Sequence, residues 1–448
     1  MNKKHIYRIS IIIFFIAVAG IIFNYNRKQK EKEQAVYQLL PRKGASANSA
    51  EWKNVQMNAD DLMAALKKDP QDPKANIKLA NLYIQEARET GNRVYYDKAA
   101  MHCVNTILKN DSLDFNALVY KSLIYLSQHH FADGLTAALK AQAVNPYNAY
   151  VYGLKVDSYV ELGMYDSAIA NADRMVAIRP DLTSYSRISY LREIFGNYKS
   201  AIEAMKMAAE AGGRGDEHTE WTRSQLGALY EKVGDYKTAQ SLYETSLSMR
   251  PDYPYAIAGM ARLAQAKGDY KTSIALYERA DSLISDNSFK EELVDLYRTT
   301  GNNAKADETA KAVIEDLSKD AKAGDKDESI GHYADRELAY AYLKIKNNDK
   351  ALEHALLEYN RRPDNIDVNE TVAWVYYNRG EYDKALPYIK VALKTNSKNP
   401  VLLGRAGLIY FKSGDKQQAK TLLQEAIASN AYIGSALTTE TLAASHSM

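Results

Sequence analysis

A pattern that returns after 34 residues constrains this chain more than any other feature it has. The stretch from Ile366 to Asn399 reappears from Pro400 to Ile433: Val372-Ala373 becomes Ala406-Gly407, Tyr376 becomes Tyr410, Gly380 becomes Gly414, Ala385 becomes Ala419 and Ala392 becomes Ala426. A unit of this size cannot bury its apolar side alone. Stacked on like units it builds a continuous core, so the period implies one elongated helix–turn–helix array, although 448 residues would suffice for two or three ordinary domains.

Within a unit the apolar positions from Val372 to Tyr376 share one helical face. Gly380 is placed to end that helix in the left-handed conformation that a Cβ disfavours. The second helix opens at Glu381-Tyr382; sister units carry Asp or Asn there, which accept hydrogen bonds from free backbone N–H groups. Ala385 and Ala392 lie two turns apart on one face, where small side chains let two helices approach closely. Pro146, Pro180, Pro251 and Pro363 close their units, because proline cannot continue a helix.

Leu226-Gly227, Tyr230, Gly234-Asp235-Tyr236, Ala239, Tyr243 and Pro251 reproduce most of one pattern in a single unit, which resembles the tetratricopeptide repeat family. The unit departs at Arg223, where the family often has Trp. The resemblance runs from about Trp52 to Ile433 and implies an all-α, right-handed superhelical solenoid of antiparallel helix pairs. It further implies that first helices line a concave face, with the residues two before and one after the packing Tyr looking into it. Carried onto this chain, those positions are Tyr340 and Leu343, Trp374 and Tyr377, and Leu408 and Phe411, flanked by Glu370, Asn378 and Lys412. A stripe of aromatic and apolar groups suits a partner polypeptide; the competing reading is that a C-terminal tail helix covers it or that it packs within the superhelix.

In chain order, residues 1–26 read as a signal or membrane anchor. The apolar run Ile9 to Phe23 has basic residues on both sides, and the stretch Ile6 to Tyr25 reaches spanning length only if Arg8 snorkels, with Tyr7 and Tyr25 at the interfaces. An uncleaved anchor is favoured over a cleaved signal peptide, because Ile21-Ile22-Phe23 continue beyond the small-residue pattern Ala17-Val18-Ala19. Residues 27–50 read as a tether, 51–320 as a capping helix with about seven repeats, 321–332 as a polar break or hinge, 333–433 as three more repeats and 434–448 as a loose tail. The break follows from spacing: Gly301 to Lys346, its equivalent turn position, is 45 residues instead of 34. The first repeat carries extra residues around Glu89 to Tyr96, expected to lengthen its turn.

Composition excludes more than it assigns. Lys and Arg number 58 against 56 Asp and Glu, a net charge of +2 that offers no electrostatic ground for a nucleic-acid partner. Cys103 is the one cysteine, so neither a disulfide framework nor a cysteine zinc knuckle is available, and its place on an apolar helix face suits a small buried hydrophobe. The eight histidines include no pair at the spacing of a helical zinc motif, and His129 and His130 point in different directions. The loop AGGRGDE after the fourth repeat lacks the strand and the Lys-Ser/Thr of a phosphate loop, and Asp325, Asp327 and Glu328 lack a calcium-loop pattern. No Gly-x-Ser-x-Gly elbow occurs, and many of the 34 tyrosines fall at packing positions, as Tyr159, Tyr230, Tyr342, Tyr376 and Tyr410 do.

The expectation is a non-enzymatic protein-interaction scaffold with no cofactor or metal. It would bind a protein or peptide in its groove and be held at an inner membrane with the repeats in the periplasm, or exported if the leader is cleaved. The alternatives are a self-assembling structural protein and an enzyme with an unrecognised site. The apolar N-terminus, the lysine content and the lack of paired cysteines give the chain a bacterial character.

Overall fold

Residues 13–21, 23–24, 37–323, 331–429 and 431–448 are described by the structure, a computed structural model. Among them helix is the sole regular structure. Helix α1 (Ala50–Lys68) precedes ten pairs: α2 (Pro73–Thr90) with α3 (Arg93–Asn110), α4 (Phe115–Ser127) with α5 (Phe131–Val144), α6 (Ala149–Glu161) with α7 (Tyr165–Ile178), α8 (Leu182–Ile194) with α9 (Tyr198–Ala211), α10 (Glu217–Lys232) with α11 (Tyr236–Met249), α12 (Pro254–Ala266) with α13 (Tyr270–Leu283), α14 (Asn287–Thr299) with α15 (Asn303–Ala323), α16 (Asp335–Lys344) with α17 (Asn348–Arg361), α18 (Ile366–Asn378) with α19 (Tyr382–Ala392), and α20 (Pro400–Lys412) with α21 (Lys416–Ala428). A last helix, α22 (Ser435–His446), follows.

The local chemistry explains the pairs. Every pair turns through one residue at positive φ: glycine in eight of them (Gly91, Gly163, Gly196, Gly234, Gly268, Gly301, Gly380, Gly414), and His129 and Lys346 in the other two. Second helices are then capped by Asn197, Asp235, Asp269, Asn347 and Asp415, each accepting from a backbone N–H three residues on; such a cap contributes about 1 kcal/mol. The small residues set the spacing. Tyr243 of α11 is fully buried, and a Cβ at Gly227 of α10 would lie 2.5 Å from its ring, one at Gly259 of α12 2.4 Å. One tyrosine therefore fills the space that two glycines open on successive first helices, and Ala385, Ala392, Ala419 and Ala426 do the complementary work in the last repeats, all of them buried.

Cys103 is 3% exposed in α3, and burial pushes its thiol up to about 12. A thiol-exchange reagent at pH 8 is expected to leave the native chain unlabelled and to modify one group per chain after denaturation, because thiolate is the reactive form; rapid native labelling would contradict this placement.

Where the structure differs from expectation, the causes are physical. The extra residues of the first repeat lengthen α2 and α3 to 18 residues each, leaving Gly91-Asn92 as the turn, because additional helical turns bury backbone groups that a long loop would expose. Residues 37–50 are not a free tether: Tyr83 and Tyr95 hydroxyls donate to the carbonyls of Tyr37 and Gln38, Leu40 N–H donates to the Tyr96 hydroxyl, and Arg42 is buried against Glu86. Residues 27–36 lie outside the described residues, as does the centre of the polar break, 324–330, with Asp325, Asp327 and Glu328. The tail is not loose, since α22 packs on α20 and α21.

No helix among the described residues is long and apolar enough to cross a membrane, which overturns the expected single-pass anchor. The apolar run Ile9 to Phe23 falls short of the roughly 20 residues that a bilayer requires. Its expected extensions, with Tyr7, Arg8 and Tyr25, lie outside the described residues.

The array also closes upon itself. The Gly163 turn abuts Asp364, 201 residues later in sequence and about six periods of 34, so one superhelical turn takes about six repeats. Ser285 N–H donates to Thr90 O at 3.0 Å, Asn365 Nδ2 to Glu161 O at 3.0 Å, and Ile366 N–H to the Tyr165 hydroxyl at 3.0 Å. Arg362 reaches back from the eighth repeat to Glu161. These contacts form a seam along which the second superhelical turn rests on the first.

Candidate binding groove

First helices α10, α12, α14, α16, α18 and α20 face a common concavity of about 800 Å³. The repeat geometry puts equivalent positions of each in register along its wall, because first helices pack side by side while second helices form the outer layer. Several charges on the wall are paired. Arg262 holds Glu231 through two nitrogens at 2.9 Å each, the Tyr243 hydroxyl donates to the same carboxylate, and Lys344 meets Asp295 at 2.6 Å. Burial pushes the neighbouring Glu292 carboxyl up despite Lys344 nearby, since a narrow concave wall is poorly hydrated.

The predicted stripe is split by tertiary structure. Tyr340, Leu343, Trp374 and Asn378 line the concavity. Tyr377 is 8% exposed, stacks on Trp374 at 4.8 Å and donates its hydroxyl to Glu440 of α22. Leu408 is 0% exposed and shares an apolar cluster with Ala444 and Leu437, with Phe411 half-buried at its edge. Glu370 is buried against Arg405 at 2.9 Å, and exposed Lys412 stands 5.9 Å from the Phe411 ring, outside the concavity. The continuous six-residue stripe is thus corrected: α22 takes up the end of the wall that Tyr377 and Leu408 would have offered.

Sequence reasoning missed Arg405. Its guanidinium lies 5.0 Å from the Trp374 ring and 5.3 Å from the Tyr340 ring, and Nη1 donates to the Tyr340 hydroxyl at 2.9 Å. Its Nε is buried with no hydrogen-bond partner among the described residues. A single Arg in an apolar helix carries no sequence signal of this kind; Arg405 stands out only when the two aromatics from earlier repeats are beside it. The residues just before α22, from Ala431 to Gly434, line the concavity, and Ser435 Oγ at the start of α22 lies 2.8 Å from the Tyr432 hydroxyl and 3.1 Å from that of Tyr270 at the start of α13.

The glycine turn, the Asp or Asn cap and the alanines at the crossing define a helix pair that can be compared with known repeats. Two stretches match tetratricopeptide repeat models. They are residues 232–288 and residues 402–432. The matched stretches hold the Tyr243 and Gly259 packing in the first case and the wall around Leu408 in the second. No curated protein matches the sequence. Among solved structures, similar ones include a thermophilic tetratricopeptide repeat protein of Thermus thermophilus, 19% identical over 43% of this chain and 97% of that chain, with a TM-score of 0.37. A tetratricopeptide repeat protein from Parabacteroides merdae ATCC 43184 is 18% identical over 59% of this chain and 98% of that chain, with a TM-score of 0.34. The Cut9–Hcn1 hetero-tetramer of the APC/C is 15% identical over 88% of this chain and 74% of that chain, with a TM-score of 0.40. Tetratricopeptide repeats in general mediate protein–protein interactions and serve as scaffolds.

Proposed function

We propose that this chain is a non-enzymatic scaffold that holds a short helix of a partner protein in its concave groove. The observation that carries this reading is the chain's own α22: a helix already seated at one end of the wall, with its polar Glu440 on Tyr377 and its apolar Leu437 near Gly404. A groove that accepts one helix by a stripe of apolar contacts and a few polar ends suits helix-in-groove recognition. Tyr340, Trp374 and Arg405 supply the anchors, since aromatic and Arg side chains dominate binding energy when they are desolvated.

A labelled peptide of residues 434–448, added to a chain ending at Ile433, tests the groove directly. Saturable binding is expected, weakened at least tenfold by Tyr340→Ala with Trp374→Ala while helicity is unchanged; tenfold corresponds to about 1.4 kcal/mol, the loss of one modest anchor. Partner segments recovered by the chain ending at Ile433 should compete with that peptide. Equal binding by the double variant, or partners that do not compete, would defeat this assignment.

A further inference from the structure

The superhelical seam brings together side chains that no spacing rule connects. His129 and His332 stand 203 positions apart in sequence, yet their ring centroids are 4.3 Å apart. Glu337 joins them: one ligand atom from each of the three lies within 4.8 Å of the others, and Glu337 Oε1 is 3.7 Å from His129 Nδ1. We propose that His129, His332 and Glu337 form a site for a divalent transition metal of the zinc type, which staples the turn of the second repeat to the start of the eighth.

Three further observations support the site. First, His129 adopts φ +62 at the turn position where eight sister repeats carry glycine. A side chain in that conformation strains the backbone, and such strain is characteristic of functional positions. Second, Glu337 Oε2 is buried with no hydrogen-bond partner among the described residues, and a coordinated cation satisfies an orphaned carboxylate oxygen. Third, the segments that carry the ligands are fastened to each other: Tyr333 N–H donates to Gln128 O at 3.1 Å, His130 Nε2 lies 2.5 Å from Gly331 O, and the His130 ring stacks on Tyr333 at 3.9 Å. His129 Nδ1 is 3.1 Å from Tyr333 O; an N–H donated there fixes the tautomer and leaves the Nε2 lone pair for a metal, the usual supporting arrangement of a ligating histidine.

Two imidazoles and one carboxylate without a thiolate suit zinc, cobalt, nickel or copper and disfavour calcium and magnesium, which take oxygen ligands. His129 and Glu337 also line a cavity of about 420 Å³ that admits an ion and a water ligand. Arg336 and Arg362 on that cavity oppose a cation, and Asp157, Glu161 and Asp367 on the same walls offset them. Closing a loop of some 200 residues by a metal adds stability because the unfolded chain lacks the preformed site.

The test uses the full chain free of any affinity tag. Calorimetric titration with zinc is expected to give one ion per chain, and cobalt is expected to give visible d–d absorption without a thiolate charge-transfer band. His332→Gln and the isosteric Glu337→Gln should each weaken zinc by more than about 100-fold, beyond the 10–100-fold loss typical of supporting residues, whereas His218→Gln should bind as the parent does. Zinc should raise the thermal midpoint of the parent and of His218→Gln only. Absence of stoichiometric binding, parent-like affinity in Glu337→Gln, or an equal loss in His218→Gln would overturn the site. If His332→Gln does not fold, the cobalt spectrum of the parent and the titration of Glu337→Gln decide.

Discussion

Gly163→Ala lowers the stability of the whole array by several kcal/mol, whereas Gly380→Ala at the equivalent turn of another repeat costs only about 1 kcal/mol. Both glycines hold the left-handed conformation, at φ +76 and φ +74, so the backbone penalty of a Cβ is the same. Their surroundings are not. A Cβ at 163 would lie 2.3 Å from the backbone of Asp364, which cannot rotate away, while one at 380 has nothing within 4 Å. The difference between the two variants therefore isolates the seam. Urea unfolding followed by circular dichroism reads it, with a loss of at least about 2 kcal/mol more for Gly163→Ala. An isolated solenoid unfolds by nearest-neighbour terms alone, so the seam variant should also broaden the transition. Equal midpoints for the two variants would mean that the superhelical turns do not rest on each other in solution.

The second large effect is expected at Arg362→Ala. This guanidinium is 6% exposed, pairs with Glu358 at 2.5 Å, reaches Glu161 across the seam and lies 4.6 Å from the Phe131 ring. Its removal leaves the Glu358 carboxylate, 2% exposed, with Arg361 at 2.7 Å as its remaining partner and Glu161 without its partner across the seam. Leaving a buried charge wholly uncompensated costs about 3–5 kcal/mol; with Arg361 still on Glu358 the expected loss is about 2–3 kcal/mol, above the median surface ion pair. The double variant Arg362→Leu with Glu358→Leu should recover part of that loss, because the buried carboxylate goes with its buried partner while Arg361 keeps Asp335. If the single variant unfolds at the parental urea concentration, the pair is solvated and the seam is weaker than the geometry indicates.

Both predictions concern contacts invisible in a one-dimensional pattern, which also marks the division between what was legible in the residues and what was not. The repeat units were legible because their determinants are local: Gly380 and Gly414 take the turn, Asp235 and Asp415 cap the following helix, and Ala385 and Ala419 sit at the crossing. The helical class followed with them. The groove was half legible. Tyr340, Leu343 and Trp374 line the concavity, but Leu408 and Tyr377 are covered by α22, as the competing reading of the stripe had it, although the Ser-, Thr- and Ala-rich tail lacks a strong apolar stripe. The apolar N-terminal run suggested a membrane span because composition resembles an anchor; length is a separate requirement, and no described helix meets it.

Sequence alone determined the repeating helix pair, its turn and its caps, because each rests on residues within one 34-residue period and on the steric and hydrogen-bonding demands of a helix end. Tertiary structure alone decided that about six repeats complete a superhelical turn, that the tail helix closes one end of the groove, and that His129 meets His332 and Glu337. The reason is geometric: small rotations between neighbouring repeats accumulate over some 200 residues, and no individual repeat encodes the sum that sets which distant turns come into contact.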